Sequence, residues 1–331
     1  LLESGISDPK AHLFVATSAP VATLILSRAP LSADEIATLR RFCSEFAFQV
    51  LVSPDAEPTS TVLAGMVGAR DRATLERLTR GQDLDLSPPS DDRPFFFNLL
   101  PLDRPHLALR YIGRNGVVGG NLMATLTLCV ILLVSVALVV VAIVVPLRGA
   151  IREAGRDLVA GGTLYFALLG LGFMLVEMGL LQRLSLFLGA PVYSLSIVLF
   201  SLILSAGIGS ALSERLRLGT RAAFMVWAFA ITGYVASLPW WLPGVLASNQ
   251  MAEIAVRAGL CLAVIAPAGL MMGFGFPTGL RLVAARDERP TVWFWGINGA
   301  AGVLGSVLAI ALSIAFGIGT TLILGALCYL A

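Results

Sequence analysis

Two charged residues stand inside an apolar run of this chain, where lipid would make each of them costly. The run GFMLVEMGLLQRLSLFLG extends over residues 172–189 and contains Glu177 and Arg183. A charged side chain near the middle of a bilayer costs on the order of 3 kcal/mol or more. Such residues therefore indicate a buried polar contact or a polar cavity, in which a carboxylate can serve as the counter-ion of a cationic ligand.

Glu177 needs hydrogen-bond donors, and its nearest polar neighbours in sequence are poorly placed to supply them. Gln182 and Arg183 lie five and six residues further along, so neither is aligned with Glu177 on one helical face. A partner on another helix is favoured, and Asn298 stands out because its glycine-rich surroundings must pack closely. The other candidate partners are Tyr193, Ser194, Ser196 and Arg257. The predicted intramembrane cluster comprises Glu177, Gln182, Arg183, Tyr193 and Asn298.

The two charges differ in depth. Arg183 lies near the end of its run, so its long side chain is expected to reach the membrane interface. Glu177 lies deeper and has a shorter side chain, so it must find its partners inside the protein. Two interpretations stay open: a polar clamp that fixes helix register, or a cavity for a cationic substrate with Glu177 as counter-ion.

The composition of the chain requires a membrane. Of its 331 residues, 57% are hydrophobic and 13% are charged, whereas soluble domains have about 45–50% apolar and about 25% charged residues. The lipid bilayer is therefore a partner, and the net charge of +2 is too small to indicate nucleic acid. The four cysteines show neither metal-site spacing nor a disulfide framework, so no metal site is predicted. The chain begins at Leu1 and stops inside an apolar run, and we interpret it as a piece of a longer protein.

Residues 1–115 have the texture of a soluble α/β segment. HLFVAT and VATLILS predict two adjacent strands, and FQVLVSP predicts a third. Ser32 and Glu35 form a capping box at the start of an amphipathic helix, and residues 60–81 are also predicted to be helical. The segment contains no glycine-rich turn between a strand and a helix, so it shows no nucleotide-binding fingerprint.

A proline-rich loop, SPPSDDRPFFF, leads out of this segment. Five prolines between Pro88 and Pro105 exclude regular structure. Asp91 and Asp92 are expected to pair with Arg93, and the three phenylalanines that follow form an aromatic cluster. This exit-loop motif is either a structural plug, on the domain or at the membrane interface, or part of a substrate pocket.

Residues 116–331 are predicted to form a multi-pass bundle of about seven helices, because spanning the bilayer takes about 20 apolar residues. The predicted spans are approximately 119–145, 162–184, 191–212, 222–242, 255–280, 292–315 and 318–331, with the last one truncated. The runs SAGIGSALS and GINGAAGVLGS predict closely packed helix faces. Pro277 is predicted to break or kink the fifth span.

The distribution of arginines indicates the orientation of the later spans. The first, third and fifth links carry Arg148, Arg152 and Arg156; Arg215, Arg217 and Arg221; and Arg281, Arg286 and Arg289. The positive-inside rule places these links in the cytoplasm and residues 1–115 outside. Arginines 104, 110 and 114 before the first span favour the opposite side, so the side of residues 1–115 stays open.

The run from LGFMLVEMGLLQRLSLFLGAPVYS to SAGIGSALS, together with GFGFPTGLRL and FWGINGAAGVLGSVLAIALS, resembles the membrane module of bacterial membrane-fused spermidine-synthase-like proteins. The resemblance implies a bacterial inner-membrane protein whose residues 1–115 end a Rossmann-like, methyltransferase-type domain. It also implies an aminopropyltransferase that uses decarboxylated S-adenosylmethionine, or a relative that uses S-adenosylmethionine. The glycine-rich loop and catalytic aspartate of that domain would lie in a missing N-terminal part, so no catalytic residue is assigned and no cofactor is expected on this piece.

Three functions follow from these expectations. The chain is the membrane module and partial soluble domain of a transferase, or a transporter or exporter of a cationic small molecule such as a polyamine, or a structural membrane protein with a degenerate enzyme domain. A water-accessible cavity beside Glu177 would favour the second.

Overall fold

The computed structural model describes residues 1–2, 5–18, 21–80, 83–95, 98–101, 104–107, 117–151, 155–216 and 220–330. The chain divides into two compact units. The first comprises Leu1–Pro88 and Phe97–Leu126, and the second comprises Pro89–Phe96 and Thr127–Ala331. The short segment Pro89–Phe96, which contains the exit-loop motif, therefore belongs to the same unit as the long helices.

The first unit is built on a three-stranded sheet in the order β2-β1-β3. The strands are β1 (Leu13–Ser18), β2 (Val21–Leu26) and β3 (Gln49–Val52), and both pairings are antiparallel. The predicted adjacent strands and the third strand are thus confirmed. An antiparallel sheet of this size does not by itself show a Rossmann-like domain, and that part of the expectation stays a prediction.

The helices of the first unit are α1 (Ala33–Glu45), α2 (Thr61–Val67) and α3 (Arg72–Arg80). The predicted capping box is confirmed at the start of α1. The backbone N–H of Glu35 donates to Ser32 Oγ at 3.3 Å, and the N–H of Ser32 donates to Glu35 Oε2 at 2.8 Å. These two bonds satisfy backbone donors that the first turn of a helix leaves without partners.

The second unit is helical. Its long helices, in chain order, are α4 (Val117–Val139, which begins in the first unit), α5 (Arg156–Leu188), α6 (Pro191–Arg215), α7 (Arg221–Ser248), α8 (Ile254–Ala284) and α9 (Thr291–Phe316). All six are long and apolar enough to cross a membrane, counted over the described residues. The seventh predicted run forms α10 (Ile318–Leu327), which has only 10 residues. The count of seven spans therefore stays a prediction, whereas a helical unit with six candidate spans among the described residues is observed.

Of the two alternatives at Pro277 the break is wrong, because α8 continues as one helix from Ile254 to Ala284 with Pro267 and Pro277 inside it, and the kink stays a prediction. Side chains of neighbouring helices donate hydrogen bonds to backbone carbonyls near the prolines. Tyr165 Oη donates to the carbonyl of Gly275 at 2.8 Å, and Trp227 Nε1 donates to that of Met271 at 2.8 Å. The carbonyls that lose a donor to the prolines are those of residues 263 and 273, so these two bonds join α8 to its neighbours and do not replace the lost bonds.

Glycines set the closest helix contacts, as the small-residue runs predicted. A Cβ added at Gly209 of α6 would overlap the backbone carbonyl of Leu270 on α8, and one added at Gly273 would overlap the backbone of Ala206. Gly305 of α9 faces Met174 of α5 in a similar way. The backbones of α6 and α8 therefore approach each other only because these positions lack side chains.

This packing predicts different effects for two glycines on α6. Gly209→Ala should lower the stability of the purified protein by about 1–3 kcal/mol, because the added methyl group overlaps rigid backbone. Gly207→Ala is the matched control, since nothing lies within 4 Å of its added Cβ, and we expect no loss of stability there. Thermal unfolding in detergent measures both, and equal melting temperatures for the two variants would contradict the packing described.

Candidate functional site

The exit-loop motif forms a tight turn, which we call the docking turn (Ser90–Arg93). The backbone N–H of Arg93 donates to the carbonyl of Ser90 at 2.9 Å, and the N–H of Ser90 donates to the carbonyl of Arg93 at 3.3 Å. Prolines on both sides, Pro89 and Pro94, cannot extend a ladder of backbone hydrogen bonds. The turn therefore stays short and carries Asp91 and Asp92 at its tip.

Arg183 of α5 binds this tip. Its Nη2 donates to Asp92 Oδ1 at 2.7 Å, and its Nη1 donates to the backbone carbonyl of Asp91 at 2.9 Å. Arg183 is only 5% exposed, so its guanidinium is buried against protein, and its reach to the membrane interface stays a prediction. Asp92 pairs with Arg183, which corrects the predicted pairing with Arg93. A planar guanidinium can serve both acceptors at once because its donors form a rigid fork.

Asp92 also caps the start of α10. Its Oδ1 accepts from the backbone N–H of Gly319 at 2.8 Å, and its carbonyl accepts from the N–H of Ile318 at 2.9 Å. The first N–H groups of a helix lack partners within the helix, and a carboxylate there is stabilised by the helix dipole. Asp92 therefore acts as an N-cap that is supplied by a distant part of the chain.

Gly317 makes room for this cap. It joins α9 to α10 with φ of +95°, a conformation that residues with a side chain rarely adopt. A Cβ added at Gly317 would overlap the carboxylate of Asp92. The sharp corner between the two helices and the docking of Asp92 thus require the same glycine.

Arg93 completes the contact on the other side of the corner. Its Nε and Nη2 donate to the backbone carbonyl of Ile314, at 3.3 and 3.1 Å, in the last turn of α9. A cation is favourable at the C-terminal end of a helix, where carbonyls lack partners. The docking turn thus places a cation at the end of α9 and an anion at the start of α10.

Arg257, a predicted candidate partner of Glu177, also binds the C-terminal end of a helix. Its Nη1 donates to the carbonyl of Phe187 in the last turn of α5 at 2.9 Å. At the opposite end of the bundle, Arg281 Nη2 donates to the carbonyl of Ser213 in α6 at 2.9 Å. Carbonyls at the C-terminal ends of helices in this unit therefore repeatedly accept hydrogen bonds from guanidinium groups.

The structure distributes the predicted intramembrane cluster over several places. Asn298 Nδ2 donates to the carbonyl of Phe166 at 3.1 Å, Tyr193 is 58% exposed, and Gln182 Oε1 is buried without a hydrogen-bond partner among the described residues. Glu177 is 8% exposed. Among the described residues Glu177 takes part in no hydrogen bond or ion pair, so the partners expected from the sequence, Asn298 and Tyr193 included, do not bind it.

A cavity of about 200 Å³ lies between α5, α8 and α9. Its lining is mostly apolar and aromatic and comprises Leu169, Gly170, Phe173, Met174, Met272, Phe276, Asn298, Gly299, Gly302 and Tyr329. Positions 170, 173, 174 and 177 follow the i, i+3, i+4, i+7 spacing of one helical face. Asn298 lines the cavity, whereas Glu177 is not among its lining residues and lies one turn further along the same face of α5. No group of metal-binding residues is found in the described part of the chain.

Sequence reasoning missed the contact between Asp92 and Arg183 because the two residues lie 91 positions apart. A usable signal was present, since an acidic pair between two prolines and a single arginine in an apolar run are complementary in charge. The aromatic cluster after the turn is described only as far as Phe95, because residues 96 and 97 lie outside the described residues.

Comparison of this chain with protein families, curated proteins and solved structures found no match.

The docking turn predicts different effects for its two aspartates. Asp92→Ala leaves the buried guanidinium of Arg183 and the N–H of Gly319 without an acceptor. Because 44% of the Asp92 side chain is exposed, we expect a loss of about 1–3 kcal/mol rather than the cost of breaking a fully buried pair. Asp91→Ala is the control, since only the backbone carbonyl of Asp91 contacts Arg183, and its effect should stay within about 0.5 kcal/mol. Thermal unfolding in detergent compares them, and an Asp91 effect as large as that of Asp92 would rule out the carboxylate contact.

Proposed function

We propose that residues 127–330 are the membrane-embedded assembly module of a spermidine-synthase-like bacterial inner-membrane protein, and that the module binds the docking turn at one end of its helices. The observation that carries the proposal is the buried Arg183, which donates both to Asp92 Oδ1 at 2.7 Å and to the carbonyl of Asp91 at 2.9 Å. A buried guanidinium is costly unless it is paired and hydrogen-bonded. The bundle therefore has an electrostatic reason to retain the turn.

The contacts at the docking turn also support a role in assembly rather than in chemistry at this place. Asp92 contacts Arg183 and the backbone of Ile318 and Gly319, and Arg93 contacts the backbone of Ile314. Asp92 satisfies the start of α10, and Arg93 satisfies the end of α9. Aminopropyl or methyl transfer by the whole protein is part of the proposal and rests on the resemblance alone.

The direction of the helices supports an extracytoplasmic position for the docking turn. The turn contacts the end of α9, the start of α10 and Arg183 near the end of α5. The arginine-rich links that precede α5, α7 and α9 lie at the opposite end, because each of these helices starts there. Under the positive-inside rule the arginine-rich end faces the cytoplasm. The docking turn then lies on the outer side of the membrane.

This orientation predicts the labelling of two single cysteines. With the four native cysteines replaced by alanine, Asp91→Cys should react with a membrane-impermeant maleimide in intact spheroplasts. Glu288→Cys, an exposed position in the link between α8 and α9, is the control from the opposite end and should react only after the membrane is permeabilised. The reverse pattern would place the docking turn in the cytoplasm and overturn this part of the proposal, while leaving the contact itself untouched.

A further inference from the structure

Glu177 is a buried carboxylate whose electrostatic partner is not found among the described residues. It is 8% exposed. Two arginines of the bundle, Arg183 and Arg257, bind other groups instead. Arg183 binds the docking turn, and Arg257 binds the carbonyl of Phe187. A buried carboxylate without a partner is strongly disfavoured. Glu177 is therefore either protonated or compensated by a cation that binds beside it.

The cavity between α5, α8 and α9 gives such a cation a place to bind. Gly170, Phe173 and Met174 line it from α5, and Glu177 continues the same helical face by one turn. The Cα–Cβ bonds of an α-helix tilt toward its N-terminus, and long side chains lie over the preceding turn. Glu177 is not itself a lining residue, but this tilt directs its carboxylate toward the turn of Phe173 and Met174, which are lining residues.

The lining of the cavity determines the class of ligand. Three aromatic rings contribute to it, from Phe173, Phe276 and Tyr329, together with the sulfur-containing side chains of Met174 and Met272. Aromatic faces attract organic ammonium groups, most strongly where water is excluded. Inorganic cations such as Ca²⁺ or Mg²⁺ need several oxygen ligands, which this mostly apolar lining does not provide.

The single acidic group and the volume of the cavity narrow the class of ligand further. Among the described residues, Glu177 supplies the one acidic group on this face, so a ligand with several positive charges would keep some of them unpaired. The volume of about 200 Å³ is below the range of about 300–1,000 Å³ that is typical for drug-sized ligands. The position near the middle of α5 also suits a ligand with an apolar body, because binding sites of membrane transporters lie near the bilayer midplane.

We propose that this cavity binds a small monovalent organic cation with an apolar body, and that Glu177 is its counter-ion. The site is independent of the docking turn, since no residue of the turn lines the cavity. Failure of one proposal therefore leaves the other intact.

The test is binding of benzyltrimethylammonium to the purified full chain in lipid nanodiscs, measured by calorimetry. We expect saturable binding, and we expect Glu177→Gln to weaken it at least tenfold while the melting temperature stays unchanged. Neopentylbenzene, which has the same shape but no charge, should bind no better to the native chain than to the Glu177→Gln variant. The Asp92→Ala variant should bind benzyltrimethylammonium with the affinity of the native chain, measured at a temperature at which the variant is folded.

A second variant separates the role of the cavity from that of the charge. Gly299 lines the cavity, and nothing lies within 4 Å of a Cβ added there. Gly299→Leu should fill the space and abolish binding with Glu177 still present. Absence of binding to the native chain, equal affinity in the Glu177→Gln variant, or unchanged binding in the Gly299→Leu variant would overturn the site. Tighter binding of spermidine than of benzyltrimethylammonium would overturn the monovalent class.

Discussion

The guanidinium of Arg183 is the group on which the arrangement of this end of the bundle depends. It is buried near the end of α5, and its charge is compensated by Asp92, which at the same time caps α10. The corner between α9 and α10 can be sharp because Gly317 accepts a positive φ and leaves space for that carboxylate. The ion pair thus connects α5 to the turn and, through the cap, to α10, and removal of Asp92 leaves the buried guanidinium of Arg183 without its carboxylate.

Guanidinium groups solve a general problem of helices in lipid. The last carbonyls of each helix have no partner within the helix, and no water reaches those that lie at membrane depth. Arg93, Arg257 and Arg281 donate to such carbonyls at the ends of α9, α5 and α6. A rigid fork of donors suits this task better than a single ammonium group, and the chain has one lysine, Lys10, among its 23 lysine and arginine residues.

Features governed by local rules could be predicted from the sequence, and features governed by distant contacts could not. The paired strands, the capping box of Ser32 and the long apolar helices follow from spacing and residue type alone. α8 continues through Pro277 without a break, and the contacts that join it to Tyr165 and Trp227 on neighbouring helices are not visible in the local sequence. The partner of Arg183 lies 91 residues away, and no periodicity connects positions so far apart.

Glu177 and Arg183 stand six residues apart on one helix, and the protein treats their charges in opposite ways. The charge of Arg183 is compensated by the chain itself, through a carboxylate and a carbonyl that no ligand needs to supply. The carboxyl of Glu177 has no such partner among the described residues. A charge that the protein itself compensates stabilises one structure, whereas a buried carboxyl without a partner is costly to ionise until a cation binds beside it. The difference between the two residues is therefore the physical reason to assign structure to Arg183 and ligand binding to Glu177.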